Sequence, residues 1–241
     1  MTKATATLYL TGGGPGSFAS LNRHFRAALR PLGKKEPLVA YLGAASNDDA
    51  GFFATITGAL ESSGARFRLA KSASKRASPS AARATLEDSD LVLLSGGDVD
   101  HGMNVLRDRG LDAVIRKLAH AGKPMFGISA GSIMLAREWV RFPGDDDARA
   151  EIFPCLGIAP LHVDAHAEEE DWHELRTLVR LLHARGDRAP VGLGLTKRGG
   201  VMVTGGAKVH AVGTPIPRVG VAKGKVVNRA PLHPRGSRGK R

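Results

Sequence analysis

Two rhythms of apolar and polar positions alternate along this chain. Short apolar runs at residues 7–10, Leu38–Leu42, Leu91–Leu94 and 124–128 have the length and content of strands covered on both faces. Arg66–Leu69 reads as a further short strand. Between them the spacing turns helical. Phe18, Leu21, Phe25 and Leu29 fall on one face behind Ser17, a capping residue, and helices are also predicted over 52–60 and Leu111–His120. Residues 71–84, rich in Ser, Ala and basic side chains, read as a loop with at most a helical turn. Strand–helix alternation of this sort predicts an α/β fold with a mostly parallel sheet and helices on both faces. The rhythm changes late: the runs 201–203 and 209–212 flank Gly205-Gly206 and predict an antiparallel hairpin near the C-terminal end. One domain is expected over 1–227, followed by a flexible basic tail over 228–241.

Composition narrows the function classes. Apolar residues are 42% of 241, ample for a core, and no apolar run approaches the roughly 18 residues of a membrane span. The first residues carry no signal-peptide pattern, and Cys155 is the sole cysteine, so neither an internal disulfide nor a cysteine zinc site can form. A cytoplasmic protein is expected. The net charge of +12 is confined to one region. Residues 188–241 hold 12 of the 35 Lys/Arg and none of the 23 Asp/Glu, which leaves the preceding chain balanced at 23 of each sign. Aromatics are only 5% and no stacking motif accompanies these charges, so a solvated tail is expected rather than a nucleic-acid partner.

The chemistry concentrates at Gly127-Ile128-Ser129-Ala130-Gly131. Glycines two residues either side of a serine, placed after a buried strand and before a helix, suit a sharp turn that lifts the hydroxyl above the sheet. The helix start would offer backbone N–H groups to an oxyanion. A serine nucleophile needs a base, and His166 lies 37 residues on. His162-x-Asp164-x-His166 would put three metal-type ligands on one strand face, but no further ligand spacing accompanies them, so no metal and no cofactor are expected. Gly12-Gly13-Gly14-Pro15-Gly16 lacks the spacing and lysine of a phosphate loop and reads as a tight turn.

Three segments resemble the aspartyl dipeptidase and cyanophycinase family, serine peptidases with the class I glutamine amidotransferase-like fold. Gly127–Ser132 is similar to its nucleophile segment, Leu93–Val99 to its Gly-Gly-Asn loop, and Val163-Asp164-Ala165-His166 to its histidine segment. The resemblance implies Ser129 as nucleophile, His166 as base, the amides of Gly97 and Ala130 as oxyanion donors, and Asp98 at the substrate. It further implies cleavage of a short peptide or isopeptide with an acidic residue near the broken bond, without a membrane partner and with a homodimer left open. Asp98 stands where the family usually has Asn, and Gly194-Leu195-Thr196-Lys197 lacks the family's late acid. The third catalytic acid is therefore left open among Asp145, Asp146, Asp147, Asp164 and Glu168. Two rivals are an α/β-hydrolase esterase and a catalytically silent binding module of the same fold.

Overall fold

The computed structural model describes residues 6–14, 16–205 and 207–234. In chain order it contains β1 (Leu8–Thr11), α1 (Phe18–Leu29), β2 (Leu38–Leu42), α2 (Ala50–Leu60), β3 (Arg66–Leu69), α3 (Pro79–Asp88) and β4 (Leu91–Leu94). There follow α4 (Val99–Asp108), α5 (Leu111–His120), β5 (Met125–Ile128), α6 (Ala130–Leu135), β6 (Glu138–Arg141) and β7 (Glu151–Pro154). The last elements are β8 (His162–Ala165), α7 (His173–Arg185), β9 (Val191–Leu195), β10 (Gly200–Thr204), β11 (Lys208–Val212), β12 (Ile216–Ala222) and β13 (Lys225–Leu232).

The main sheet has the order β11-β10-β1-β5-β4-β2-β3. Its β1, β5, β4, β2 and β3 run parallel, while β10 and β11 close one edge as the antiparallel hairpin expected from the sequence. Alternate strand residues face opposite layers. Tyr9, Val39, Tyr41, Leu91, Leu93, Phe126 and Ile128 pack on Leu21 and Phe25 of α1 and on Ile56 and Leu60 of α2. Leu10, Leu42, Val92 and Leu94 face the other way, onto Leu86 of α3, Met103 and Leu106 of α4, Ile115 of α5 and Met134 of α6. Burial on both faces explains why these strands read as continuous apolar runs. Phe25 is fully buried, edge-on to Phe126 at 5.1 Å and stacked on Phe67 at 5.8 Å. Its truncation to alanine would cost about 3–5 kcal/mol.

A second sheet, β13-β12-β9-β8, pairs β8 with β9 in parallel and the rest antiparallel. β6 and β7 form a separate hairpin. The larger core cluster bridges the two sheets, running from Leu10 and Leu94 through Met134 and Leu135 to Val163, Leu193 and Leu195.

Two expectations are corrected, and one stretch left unassigned is filled. The loop read over 71–84 ends in α3, which Pro79 opens and whose start Ser78 caps by accepting from the Ala81 amide at 3.3 Å. Its few apolar positions, Ala82 and Leu86, bury a narrow stripe that the Ser/Ala-rich composition masks. α4 replaces an unassigned stretch, with Asp98 Oδ1 accepting from the His101 amide at 2.6 Å as its cap. The basic tail does not begin at 228, because β13 continues to Leu232, pairing Asn228 with Val219 and Leu232 with Ile216. An edge strand held by its backbone ladder needs few apolar side chains, so its sequence resembles a tail. Residues 235–241 of the expected tail lie outside the described residues.

Candidate active site

The turn between β5 and α6 is built around Ser129, whose φ of 52° and ψ of −122° lie outside the regions that ordinary side chains favour. Such backbone costs on the order of 1–3 kcal/mol and must be held by its surroundings. The Ser129 amide donates to the Thr11 carbonyl at 2.9 Å, and the Ser129 carbonyl accepts from Ser132 and Ile133 at 2.8 and 3.2 Å. Buried Ser132 brackets β1: its Oγ donates to the Thr11 carbonyl and accepts from the Thr11 amide, both at 2.9 Å. Close packing dictates the glycines. A Cβ on Gly127 would lie 2.7 Å from the Ser132 backbone, and one on Gly131 would lie 2.1 Å from the Leu94 carbonyl oxygen.

His166 stands just past β8, with φ of 46° and its amide donating to the Leu195 carbonyl at 2.8 Å. That bond to the end of β9 aims the ring across to the main sheet. Ser129 Oγ and His166 Nε2 meet at 2.8 Å, across 37 residues and two sheets. Gly97, with φ of 137°, approaches Ala45 so closely that a Cβ would sit 2.0 Å from its carbonyl oxygen. Among the described residues, neither the Gly97 amide nor the Ala130 amide donates a hydrogen bond to another backbone group. Both residues line the cavity beside Ser129.

Two cavities meet at the Ser129–His166 pair. One, of about 440 Å³, is lined by Asp98, Asp164, Glu170, Glu174 and His173 together with Val99, Ile133 and Trp139. The other, of about 560 Å³, is mostly apolar, with Phe18, Leu21, Phe52 and Ile56. Burial pushes the Asp164 carboxyl up to about 7; the Glu174 charge adds to the rise, and the Ala165 and Leu175 amides oppose it. Burial also raises Glu174, against the hydrogen bond its Oε2 accepts from Trp139 Nε1 at 2.7 Å. The one cysteine is no rival nucleophile, since burial pushes the Cys155 thiol up to about 12.

The other residues singled out from the sequence fall as follows. Asp98 lines the cavity mouth while capping α4. Asp164 lines the cavity, but its Oδ1 accepts from the Ala165 amide and it makes no hydrogen bond to His166. Asp145 and Asp146 lie on the exposed β6–β7 connection, where Asp146 caps a short helical turn, and Asp147 meets His173 at 3.2 Å. Glu168 accepts from the Lys197 amide. Among the described residues, no carboxylate hydrogen-bonds the second ring nitrogen of His166. His162 of the weighed metal pattern turns to Glu138, 3.1 Å away. Trp139, Glu170, His173 and Glu174 were missed. For Glu170 and Glu174 the signal was the acidic run Glu168–Asp171 followed by Glu174, starting two residues after His166, and only the fold of α7 brings it back beside Ser129; Trp139 and His173 carried no such signal.

The sequence profile of Peptidase family S51 matches residues 8–209. A solved peptidase structure from an acI-B1 Actinobacterium is 16% identical, with a TM-score of 0.69 over 94% of this chain and 98% of that one. A putative peptidase E protein from Listeria monocytogenes EGD-e is 17% identical, with a TM-score of 0.63 over 87% and 99% of the two chains. These two likenesses are of fold. No curated protein sequence matches. Among the described residues, no helix is long and apolar enough to cross a membrane.

Proposed function

The chain belongs to peptidase family S51, the aspartyl dipeptidase and cyanophycinase family, and from that premise we propose a serine peptidase in which Ser129 is the nucleophile and His166 its base. The observation that carries the assignment is the 2.8 Å contact between Ser129 Oγ and His166 Nε2. That distance is within reach for direct proton transfer. As Ser129 Oγ attacks the amide carbon, its proton passes to His166 Nε2. The carbonyl oxygen becomes an oxyanion and takes hydrogen bonds from the Gly97 and Ala130 amides. α6 has only six residues, so these two donors, rather than a long helix dipole, supply the stabilisation; one such donor is worth about 3–4 kcal/mol. The C–N bond then breaks, His166 returns the proton to the leaving amine, and water activated by His166 releases the acid from Ser129.

The resemblance would add an acidic side chain near the cleaved bond. Among the described residues, no lysine or arginine lines either cavity at the pair to receive it. A short peptide remains the proposed substrate, and the cytoplasm its setting. One observation favours a silent module of the same fold: among the described residues, no carboxylate hydrogen-bonds His166 to orient it. Treatment with a fluorophosphonate followed by peptide mapping decides between the two. Stoichiometric labelling at Ser129, lost in His166→Ala, is expected of the peptidase; an unlabelled Ser129 in folded protein would establish the silent module.

A further inference from the structure

The second cavity at the pair, on the side of α1 and α2, has walls that serve no purpose in the proton transfers, yet it opens directly on them. Ser129 and His166 form part of its lining. The rest is mostly apolar, from Phe18 and Leu21 of α1, Phe52 and Ile56 of α2, and Ile128 at the end of β5. Leu21, Ile56 and Ile128 are buried, whereas Phe18 is 43% exposed at the start of α1. A single exposed phenylalanine is ordinary on a protein surface. This one borders a cavity of about 560 Å³ beside the proposed nucleophile.

The two side-chain hydroxyls of the lining have committed their protons. Ser17 Oγ donates to the Gly14 carbonyl at 2.6 Å, and Thr55 Oγ1 donates to the Gly51 carbonyl at 2.9 Å. Among the described residues, no carboxylate, lysine or arginine lines this cavity. A charged side chain entering it would shed its water without finding an ionic partner, while an apolar one gains by leaving water. Two glycines keep the way from the pair to the apolar wall clear. A Cβ on Gly96 would touch both sides of it, 3.4 Å from the Ser129 Cβ and 3.6 Å from the Phe52 ring, and one on Gly14 would lie 3.7 Å from the His166 ring. From this lining we infer that the substrate carries a large apolar side chain, of the leucine or phenylalanine class, next to the cleaved bond and seated between α1 and α2. The other cavity is lined by carboxylates, so the apolar preference belongs to one side of the bond. The inference rests on the serine-peptidase reading for the cleavage, but not for the binding.

A panel of short peptides, free and capped at their ends, tests it, with Phe, Leu, Ala, Gln, Asp or Lys at one or other position flanking the bond. Each peptide is offered to the full chain for hydrolysis and to Ser129→Ala for calorimetric binding. At one of the two positions Phe and Leu should exceed Ala by about tenfold or more. Thr55→Trp, which fills the cavity from α2, and Phe18→Ala, which removes its outer wall, should each shrink that ratio severalfold; both positions are exposed, so neither change disturbs the core. Equal affinity for Ala and Phe peptides, a preference for Gln, Asp or Lys at both positions, or no binding of any peptide overturns the inference even where Ser129 is labelled. An apolar preference of the same size on both sides of the bond, or one that neither variant changes, also overturns it. Selective binding of Phe and Leu peptides by a chain whose Ser129 resists labelling would uphold the pocket and refute the peptidase.

Discussion

Replacing Asp164 with asparagine should make the folded chain more stable as pH rises, relative to the native protein. In the unfolded chain this carboxyl titrates near 3.8, whereas burial beside Glu174 holds it near 7 in the fold. Between those values the folded protein keeps a proton that the unfolded chain has released. Folding therefore binds protons, and native stability falls as pH climbs through the window. A separation of about three units corresponds to about 4 kcal/mol, reached once pH passes 7. Asparagine has nearly the same shape, keeps an oxygen for the Ala165 amide and has no proton to lose. Urea unfolding of both proteins from pH 4 to pH 8, followed by the fluorescence of Trp139 and Trp172, gives the difference directly. It should be small at pH 4, grow in favour of Asp164→Asn and level off above pH 7. A pH-independent difference, or one that grows in favour of the native protein, would refute the burial argument.

Three further expectations follow from the elbow, the pair and the second sheet. On the proposed mechanism Ser129 and His166 act together, so each alanine substitution should lower kcat nearly as far as the double change, as single-turnover rates on one cleaved peptide would reveal. Gly131→Ala would force a Cβ to 2.1 Å from the Leu94 carbonyl; a loss of about 1–3 kcal/mol in urea unfolding is expected, with activity falling further than stability. Ending the chain at Val227 removes the β13 residues paired with Ile216, Arg218 and Val219. The melting temperature of the shortened chain should fall by several degrees.

How much of this was legible in advance differs by element. The parallel strands were plain because both faces are covered, so Leu91–Leu94 and Leu38–Leu42 admit no polar residue. The turn that carries Ser129 was legible because a strand-to-helix elbow leaves steric marks at Gly127 and Gly131. His166 was named only through the resemblance; its spacing alone did not separate it from other histidines. α3 was signalled by Ser78-Pro79, a capping residue before a proline, but the basic Ser/Ala setting outweighed that cue. The second sheet was hidden because β12 and β13 are short of large apolar residues and draw order from backbone pairing. The acidic cavity was legible only in part: the run Glu168–Asp171 and Glu174 marks the charge, but Trp139, Asp164 and Glu174 come from three elements that only tertiary folding assembles.

Ser129 follows a strand of one sheet and His166 a strand of the other, so the proposed mechanism makes catalysis a gauge of how those sheets are seated. Misplacement of a reacting group by about 1 Å can cost on the order of a hundredfold in rate, while leaving every strand and helix intact. Warming should therefore silence the enzyme several degrees before far-ultraviolet ellipticity declines, and cooling should restore it at once. Heat inactivation would then measure slippage at the joint through Met134, Leu135, Val163 and Leu195, rather than melting of the fold.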